Sequence, residues 1–465
     1  MSHDPAALPT QAYDAIIIGA GQAGPSLAGR LHEAGMRVAI IERHLVGGTC
    51  VNTGCKPTKT LVASAYAAHT ARRGADYGFS SGPVQVDMAA VEARARKVIL
   101  DSRQGNEDWL QGMANVTLIR GHARFDGPDS VVVEGQRLSA PRIFINVGGR
   151  ASVPDMPGLQ DVPYLTNTGM VALTTLPRHL VVVGGSYIGL EFAQMYRRFG
   201  AQVTIIERME RLIAREDPDI SEAVRGILEA EGIHVHTGAT GIAFQPHVDG
   251  VAVSTGDDNA APIIGSHVLI ATGHRPNTDD LGLDAAGIAC DARGYITVDE
   301  QLRTSVPGVW ALGDCNGCGA FTHTAYNDFE IVAANLLDGE TRRVSQRVSG
   351  YALYIDPPLA RVGMTDAEAV RSGRRLLHAQ RPMSRVGRAV EKGETQGVMK
   401  IVADADSRRI LGAAILGTGA DEAIHGIVDM MSADQPLDAM RWAVPIHPTV
   451  SELIPTLLVG LSASD

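Results

Sequence analysis

Two cysteines, Cys50 and Cys55, stand in the segment Gly47-Gly48-Thr49-Cys50-Val51-Asn52-Thr53-Gly54-Cys55-Lys56-Pro57-Thr58-Lys59. Thiols this close in sequence can close a small ring and carry two electrons as a dithiol/disulfide couple. Pro57 suits a first helical turn, and the pattern running on through Leu61, Ala65 and Ala68 predicts a helix from there. Cys55 then falls at or near a helix N-terminus, where the macrodipole stabilises a thiolate. The alternative is two ordinary buried thiols.

The elements around the pair favour redox chemistry. Asp14–Ile18 is a short apolar run rich in β-branched residues, as in a buried strand, and Gly19-Ala20-Gly21-Gln22-Ala23-Gly24 follows it directly. A helix is expected over Pro25–Ala34, and a second strand over Arg37–Ile41 ending at Glu42. Strand, glycine turn, helix, strand and acid in that order form a dinucleotide-binding unit. Gly19 makes the tight turn, Gly21 admits a pyrophosphate, Gly24 lets helix and strand pack closely, and Glu42 accepts from a ribose. The unit then recurs. Leu180–Val183 is the strand, Gly184-Gly185-Ser186-Tyr187-Ile188-Gly189 the turn, Leu190–Phe199 the helix, and Gln202–Ile206 the strand ending at Glu207. First glycine and acid are 23 residues apart in both copies. Ser186 replaces the middle glycine in the second. Two dinucleotides are implied, the alternative being a second unit that is structural and binds nothing.

A further echo marks two lobes. Arg142–Arg150 resembles His267–Pro276, each a strand ending in a glycine-containing turn where a chain crosses between domains. The first domain is expected at 1–150 and 273–344, where Trp310-Ala311-Leu312-Gly313-Asp314 is another strand-to-turn step. The second is expected at 151–272, and a third, without glycine fingerprints, at 345–465.

Composition narrows the class. The chain has 465 residues, 45% apolar and 20% charged, with 51 glycines, five cysteines and a net charge of −11 without any basic block. Nucleic acid and anionic membranes need clustered Lys and Arg, so neither is expected as a partner. Apolar runs such as Leu180–Val183 fall far short of the ~18 residues of a membrane span. Met1–Tyr13 has no basic or apolar leader segments, so no signal peptide is expected. Five cysteines are too few for a secreted disulfide scaffold. A cytoplasmic multidomain enzyme is the expectation.

This combination resembles the flavin-dependent pyridine nucleotide–disulfide oxidoreductases, the family of dihydrolipoamide dehydrogenase, glutathione reductase and mercuric reductase. The Gly47–Lys59 segment is its most specific element and is most similar to the mercuric-reductase-like members. The resemblance implies an α/β chain of two Rossmann-like dinucleotide-binding domains plus a C-terminal α+β dimerisation domain, with FAD in the first domain and NAD(P)H in the second. It makes Cys55 the thiol against the flavin and Cys50 the interchange thiol that meets the substrate. Lys59 resembles the lysine near flavin N5, paired with Glu191; on physical grounds alone those two read as a surface pair worth little. Gly48, Thr49, Ala123, Asp314 and Thr322 match positions along the FAD. Tyr187 resembles the aromatic lid that moves when nicotinamide enters, and Gly184, Gly189, Glu207 and Gly273 go with the nucleotide sites. Ile446-His447-Pro448-Thr449-Val450-Ser451-Glu452 matches the family's His–Glu acid–base, which serves the disulfide of the other subunit. A carboxylate orients an imidazole and raises its basicity. A homodimer follows from the resemblance. The apolar run Ile454, Leu457 and Leu458 fits it, as a face buried against something.

The sequence also departs from its relatives. The Leu453–Asp465 stretch lacks the cysteine pair that receives Hg(II) in mercuric reductases, no N-terminal metal-binding domain with its own cysteine pair is seen, and Pro445 stands where dihydrolipoamide dehydrogenases have a second histidine. Cys315-Asn316-Gly317-Cys318 belongs to neither pattern. It reads as a turn with two buried thiols, an auxiliary redox pair or shared metal site being the alternative; no metal site is assigned. Cys290, alone, reads as core. Glu207 favours NADH because a carboxylate repels a 2′-phosphate, with Arg208 and Arg211 close enough to offset it. The expected reaction moves two electrons from NAD(P)H through flavin and the Cys50–Cys55 disulfide to a small disulfide or a soft metal ion such as Hg(II) or Cu(II). Rival readings are an NAD(P)H oxidase or quinone reductase without disulfide cycling, and a redox sensor.

Overall fold

The structure is a computed structural model that describes residues 10–257 and 259–463. The stretch 1–9, where most of the expected leader-free segment lies, is outside the described residues. The chain forms two compact units, one of Met1–Pro57, Ala93–Ser152 and Gly273–Arg347, the other of Thr58–Glu92, Val153–Thr272 and Val348–Asp465.

In the first unit a parallel five-stranded sheet has the order Val309–Ala311, Ile143–Ile145, Ala15–Ile18, Val38–Glu42, Val116–Arg120. Parallel strands covered on both faces must be apolar throughout. Ile16, Ile17, Ile40 and Phe144 are accordingly buried, each contributing roughly 1.5–3 kcal/mol of burial. Helices Ala23–Glu33 and Thr322–Leu337 pack on this sheet. A second sheet, of Thr10–Ala12, Gln136–Ser139, Ser130–Val133 and Arg124–Gly127, lies in the same unit. Where the chain leaves and re-enters, Gly149–Ala151 pairs antiparallel with His274–Pro276, and the Ser152 N–H donates to the Gly273 carbonyl at 2.8 Å.

The second unit repeats the plan. Its parallel sheet has the order His234–His236, Gln202–Ile206, His179–Val183, His267–Ile270, with helix Tyr187–Phe199 following the central strand. Ala243–His247, Gly250–Ser254 and Ile263–Gly265 form a small antiparallel sheet. The C-terminal part is a six-stranded antiparallel sheet, centred on Ile410–Leu416 and Val398–Asp404, with short helices against it. Ile454, Leu457 and Leu458 are buried in this sheet's own core. The expectation that these three face something outside the chain is therefore corrected: the helix Leu453–Val459 turns them inward.

Candidate active site

The first glycine turn is built by close backbone contacts. Gly19 has φ +102°, and a Cβ there would lie 2.2 Å from the Asn146 carbonyl oxygen; one on Gly24 would lie 2.4 Å from the Gly19 carbonyl oxygen. Neither position tolerates a side chain. At Gly21 the nearest atom to such a Cβ is Asn146 Nδ2 at 3.4 Å, an ordinary van der Waals contact, so this glycine is less crowded than Gly19 and Gly24. Glu42 is committed to the turn: its Oε2 accepts the Ala20 N–H at 2.9 Å and its Oε1 the His44 N–H at 2.8 Å. The redox loop clasps the turn in the same unit. The Gly47 N–H donates to the Ala20 carbonyl at 2.8 Å, Gln22 Nε2 to the Gly47 carbonyl at 3.0 Å, and Gly48, at φ +60°, leaves a virtual Cβ 2.9 Å from Gly21 Cα.

Cys50 lies in the short helix Gly48–Asn52, and Thr49 precedes it there. Cys55 is the first residue of helix Cys55–Arg72, two residues earlier than the Pro57 start expected. The thiols hydrogen-bond to each other, and that bond, with burial and the Cys55 charge, pushes the Cys50 thiol well up. Cys55 is exposed, with its Sγ 3.2 Å from Thr322 Oγ1, the residue that opens helix Thr322–Leu337. Asp314 sits in the turn Gly313–Asn316, its carboxyl pushed up to about 6 by burial and by the charges of Cys55 and Asp328. Asp328 braces that turn, accepting from the Gly313 N–H at 2.8 Å and Asn316 Nδ2 at 2.9 Å while paired with Arg347. Ala123 is packed in the core, leaving only its backbone for a ligand.

The second unit reproduces the close backbone contacts of the turn. A Cβ on Gly184 (φ +118°) would meet the Ala271 carbonyl oxygen at 2.3 Å, and one on Gly189 the Gly184 carbonyl oxygen at 2.0 Å. Glu207 Oε2 accepts the Gly185 N–H at 2.6 Å and Oε1 the Met209 N–H at 2.7 Å. Ser186, the departure from the glycine pattern, is exposed at the N-cap of helix Tyr187–Phe199. Tyr187 makes an edge contact with Tyr351 (centroids 5.2 Å apart), and burial, helped by the Glu216 charge, pushes its phenol up to about 12. Lys59 Nζ donates to both Glu191 oxygens, at 3.0 and 2.8 Å. Glu191 is only 5% exposed, so this is no surface pair. His447 Nδ1 is 2.8 Å from Glu452 Oε2, with the imidazole 80% exposed. In the segment just before it, Trp442, Val444 and Ile446 are 77%, 95% and 80% exposed.

The remaining cysteines separate. Cys315 is buried, its thiol pushed up to about 12 by burial, but Cys318 and Cys290 are exposed, which corrects the expectation that all three are buried. Gly317, at φ +73°, stands between the buried Cys315 and the exposed Cys318. Among the described residues no group of three or more His, Cys, Asp or Glu is arranged to hold a metal. Sequence reasoning missed Asn146, Asp328, Tyr351 and Tyr354. A polar residue ending the apolar Ile143–Ile145 strand was the one available signal, for Asn146; the others touch the site through contacts distant in sequence.

A doubled dinucleotide-binding fold with a cysteine pair clasped to the first glycine turn defines a flavoprotein that exchanges electrons between a pyridine nucleotide and a disulfide. The family model Pyridine nucleotide-disulphide oxidoreductase matches residues 13–328, and that of its dimerisation domain 350–458. The chain belongs to the pyridine nucleotide-disulphide oxidoreductase family. It is 36% identical over 448 residues to the probable pyridine nucleotide-disulfide oxidoreductase RclA of Escherichia coli (strain K12), covering 95% of this chain and 97% of that one. To a mercuric reductase of Bacillus cereus it is 34% identical over 414 residues, covering 89% of this chain and 66% of that one. The solved structure of the Cu(II) complex of HOCl-induced flavoprotein disulfide reductase RclA from Escherichia coli matches with a TM-score of 0.88 at 34% identity, covering 97% of this chain and 99% of that one. The chain is thus an α/β enzyme with two Rossmann-like units and a dimerisation domain, of a family that uses FAD and a pyridine nucleotide. No helix among the described residues is long and apolar enough to cross a membrane.

Proposed function

We propose that this enzyme takes two electrons from NAD(P)H, NADH being preferred, and delivers them through Cys50 and Cys55 to a thiol-seeking acceptor: a soft metal ion such as Cu(II) or Hg(II), or a small disulfide. The observation that carries the reading is the hydrogen-bonded Cys50–Cys55 pair, with Cys55 opening a helix and its loop clasped to the first glycine turn. A glycine turn that admits no side chain at Gly19 or Gly24, the carboxylate of Glu42 with lone pairs to spare, and the half-buried Asp314 carboxyl fit FAD. Bound there, FAD supplies the two-electron relay between nicotinamide and the cysteines. The match of this chain to a solved structure that is a Cu(II) complex supports the metal-ion branch.

The assignment of segments goes with this reading: 1–150 and 273–344 for FAD, 151–272 for NAD(P)H and 345–465 for the dimer interface. Gly184, Gly189 and Glu207 hold the nucleotide, with Gly273 at the crossover. Tyr187 is the lid, and the Lys59–Glu191 pair has the role the resemblance gives it. Cys50 performs the exchange. Its raised thiol needs a base, and His447, oriented by Glu452 on the partner subunit, supplies it. With a small disulfide, the Cys50 thiolate attacks one sulfur and releases a thiol. Cys55 then displaces the second thiol and restores the Cys50–Cys55 bond. With Cu(II), the dithiol reduces two ions to Cu(I), forming the disulfide and releasing two protons.

Anaerobic titration with NADH and NADPH, followed by a panel of Cu(II), Hg(II), small disulfides, quinone and oxygen, tests the reading. Cys50→Ser is expected to lose reduction of the metal ions and disulfides. A variant that reduces them as fast as the wild type would show that the cysteines do not lie on the path.

A further inference from the structure

The Lys59 ammonium is held by more than Glu191. Its Nζ stands 4.5 Å from the centroid of the Tyr354 ring, and the Tyr354 backbone N–H donates to Glu191 Oε1 at 2.9 Å. One residue therefore touches both members of the pair, the cation through its ring face and the anion through its backbone. A lysine carries its charge on a flexible four-carbon stem, and a single carboxylate lets the ammonium pivot. A ring face on a second side restricts that movement, removes water and attracts the cation.

Tyr354 is itself fixed. Glu191, Gln194 and Arg198 share one face of helix Tyr187–Phe199, and all three grip the segment Tyr354 begins. Gln194 Oε1 accepts the Asp356 N–H at 2.7 Å, Gln194 Nε2 donates to the Asp356 carbonyl at 2.7 Å, and Arg198 Nη1 donates to Asp356 Oδ2 at 2.5 Å. The helix that carries Glu191 thus also sets the height of the ring beneath Lys59.

We propose that Tyr354 is a positioning residue for Lys59, its ring face holding and partly desolvating the ammonium so that its charge is presented to the flavin in one place. The proposal rests on the reading of Lys59 as the flavin-side lysine.

The test uses the holoenzyme with Tyr354→Phe, with a trifluorinated phenylalanine at the same position, and with Lys59→Met. Fluorination keeps the ring's shape but drains electron density from its face, a change that a packing role does not feel. The rate of flavin reduction by NADH and the flavin midpoint potential are measured for each. Tyr354→Phe is expected to keep the rate within about twofold, while the trifluorinated ring slows it about 2- to 5-fold and makes the potential more negative. In the Lys59→Met background the two rings should behave alike. Equal rates and potentials for the two rings, with Lys59→Met slow, overturn the proposal and leave the Lys59 reading standing. A Lys59→Met enzyme with the rate and potential of the wild type overturns the Lys59 reading, and the proposal with it.

Discussion

Cys50 and Cys55 are not equivalent thiols. Cys50 is held protonated by its hydrogen bond to Cys55, then by burial and the Cys55 charge, whereas Cys55 opens a helix. In the dithiol the negative charge therefore belongs on Cys55. Cys50→Ser is expected to show a long-wavelength thiolate-to-flavin absorbance band at neutral pH without reductant, and Cys55→Ser to lack it under all conditions. An ordinary flavin spectrum in Cys50→Ser would reverse the two roles. Asp314 gives a second expectation at this scale. Burial, aided by the charges of Cys55 and Asp328, brings its carboxyl up to about 6. In the proposed FAD site the ribityl hydroxyls would donate to this carboxylate, so FAD binding would favour the ionised form and protons would compete with it. FAD affinity for the apoprotein should be flat above about pH 7 and weaken as pH falls through 6, by at most about tenfold per unit. Asp314→Asn should bind more weakly with that slope gone. Reconstitution titrations across pH measure both, and an unchanged slope in Asp314→Asn would remove Asp314 from the FAD site.

At the scale of elements, the repeated strand–turn–helix is braced identically twice. Glu42 ties Ala20 to His44, and Glu207 ties Gly185 to Met209, so each acid locks its glycine turn before it meets any ribose. Glu207→Ser is expected to shift relative binding toward NADPH by about 1–3 kcal/mol through loss of the charge. The same change also forfeits two backbone hydrogen bonds, at about 1–3 kcal/mol of stability. The ratio of kcat/KM for the two nucleotides reads the first effect and denaturant unfolding the second. A shift in stability with no shift in the ratio would make Glu207 a brace only. The spacing of glycine and acid was legible in the sequence because it is local. The brace was not, because one donor of each pair, the Ala20 or Gly185 N–H, lies 22 residues from its acid in the glycine turn, although the other, of His44 or Met209, is only two residues on.

For the whole molecule, the exposed imidazole of His447 follows the exposed Trp442, Val444 and Ile446 in the chain, whereas Ile454, Leu457 and Leu458 are buried. Apolar side chains this exposed in the segment that leads to a hydrogen-bonded His–Glu pair fit a surface that a second subunit covers. If each active site is built from two chains, inactive Cys55→Ser and inactive His447→Ala should complement. A mixed dimer would hold one site with both defects and one with neither, and should recover about half the activity of a wild-type dimer, as for independent sites. Subunit exchange proved by mass without return of activity would mean that His447 serves its own chain or none.

What the sequence alone determined here is what local order can encode: the two glycine turns, the cysteine pair at a helix start, and the strands whose unbroken apolar runs demand burial on both faces. Those features depend on backbone conformation and on periodicity within a few residues, so residue type and spacing suffice. The tertiary structure decided which polar groups meet. Lys59 and Glu191, far apart in the chain, became a partly buried pair, with Lys59 over the Tyr354 ring. Asp328 came to carry the Asp314 turn. Cys315 and Cys318, three positions apart, were separated into core and surface, Cys315 packing with residues from distant parts of the chain. Each outcome turns on desolvation, which is set by what packs around a group, and packing partners distant in sequence leave no mark on spacing.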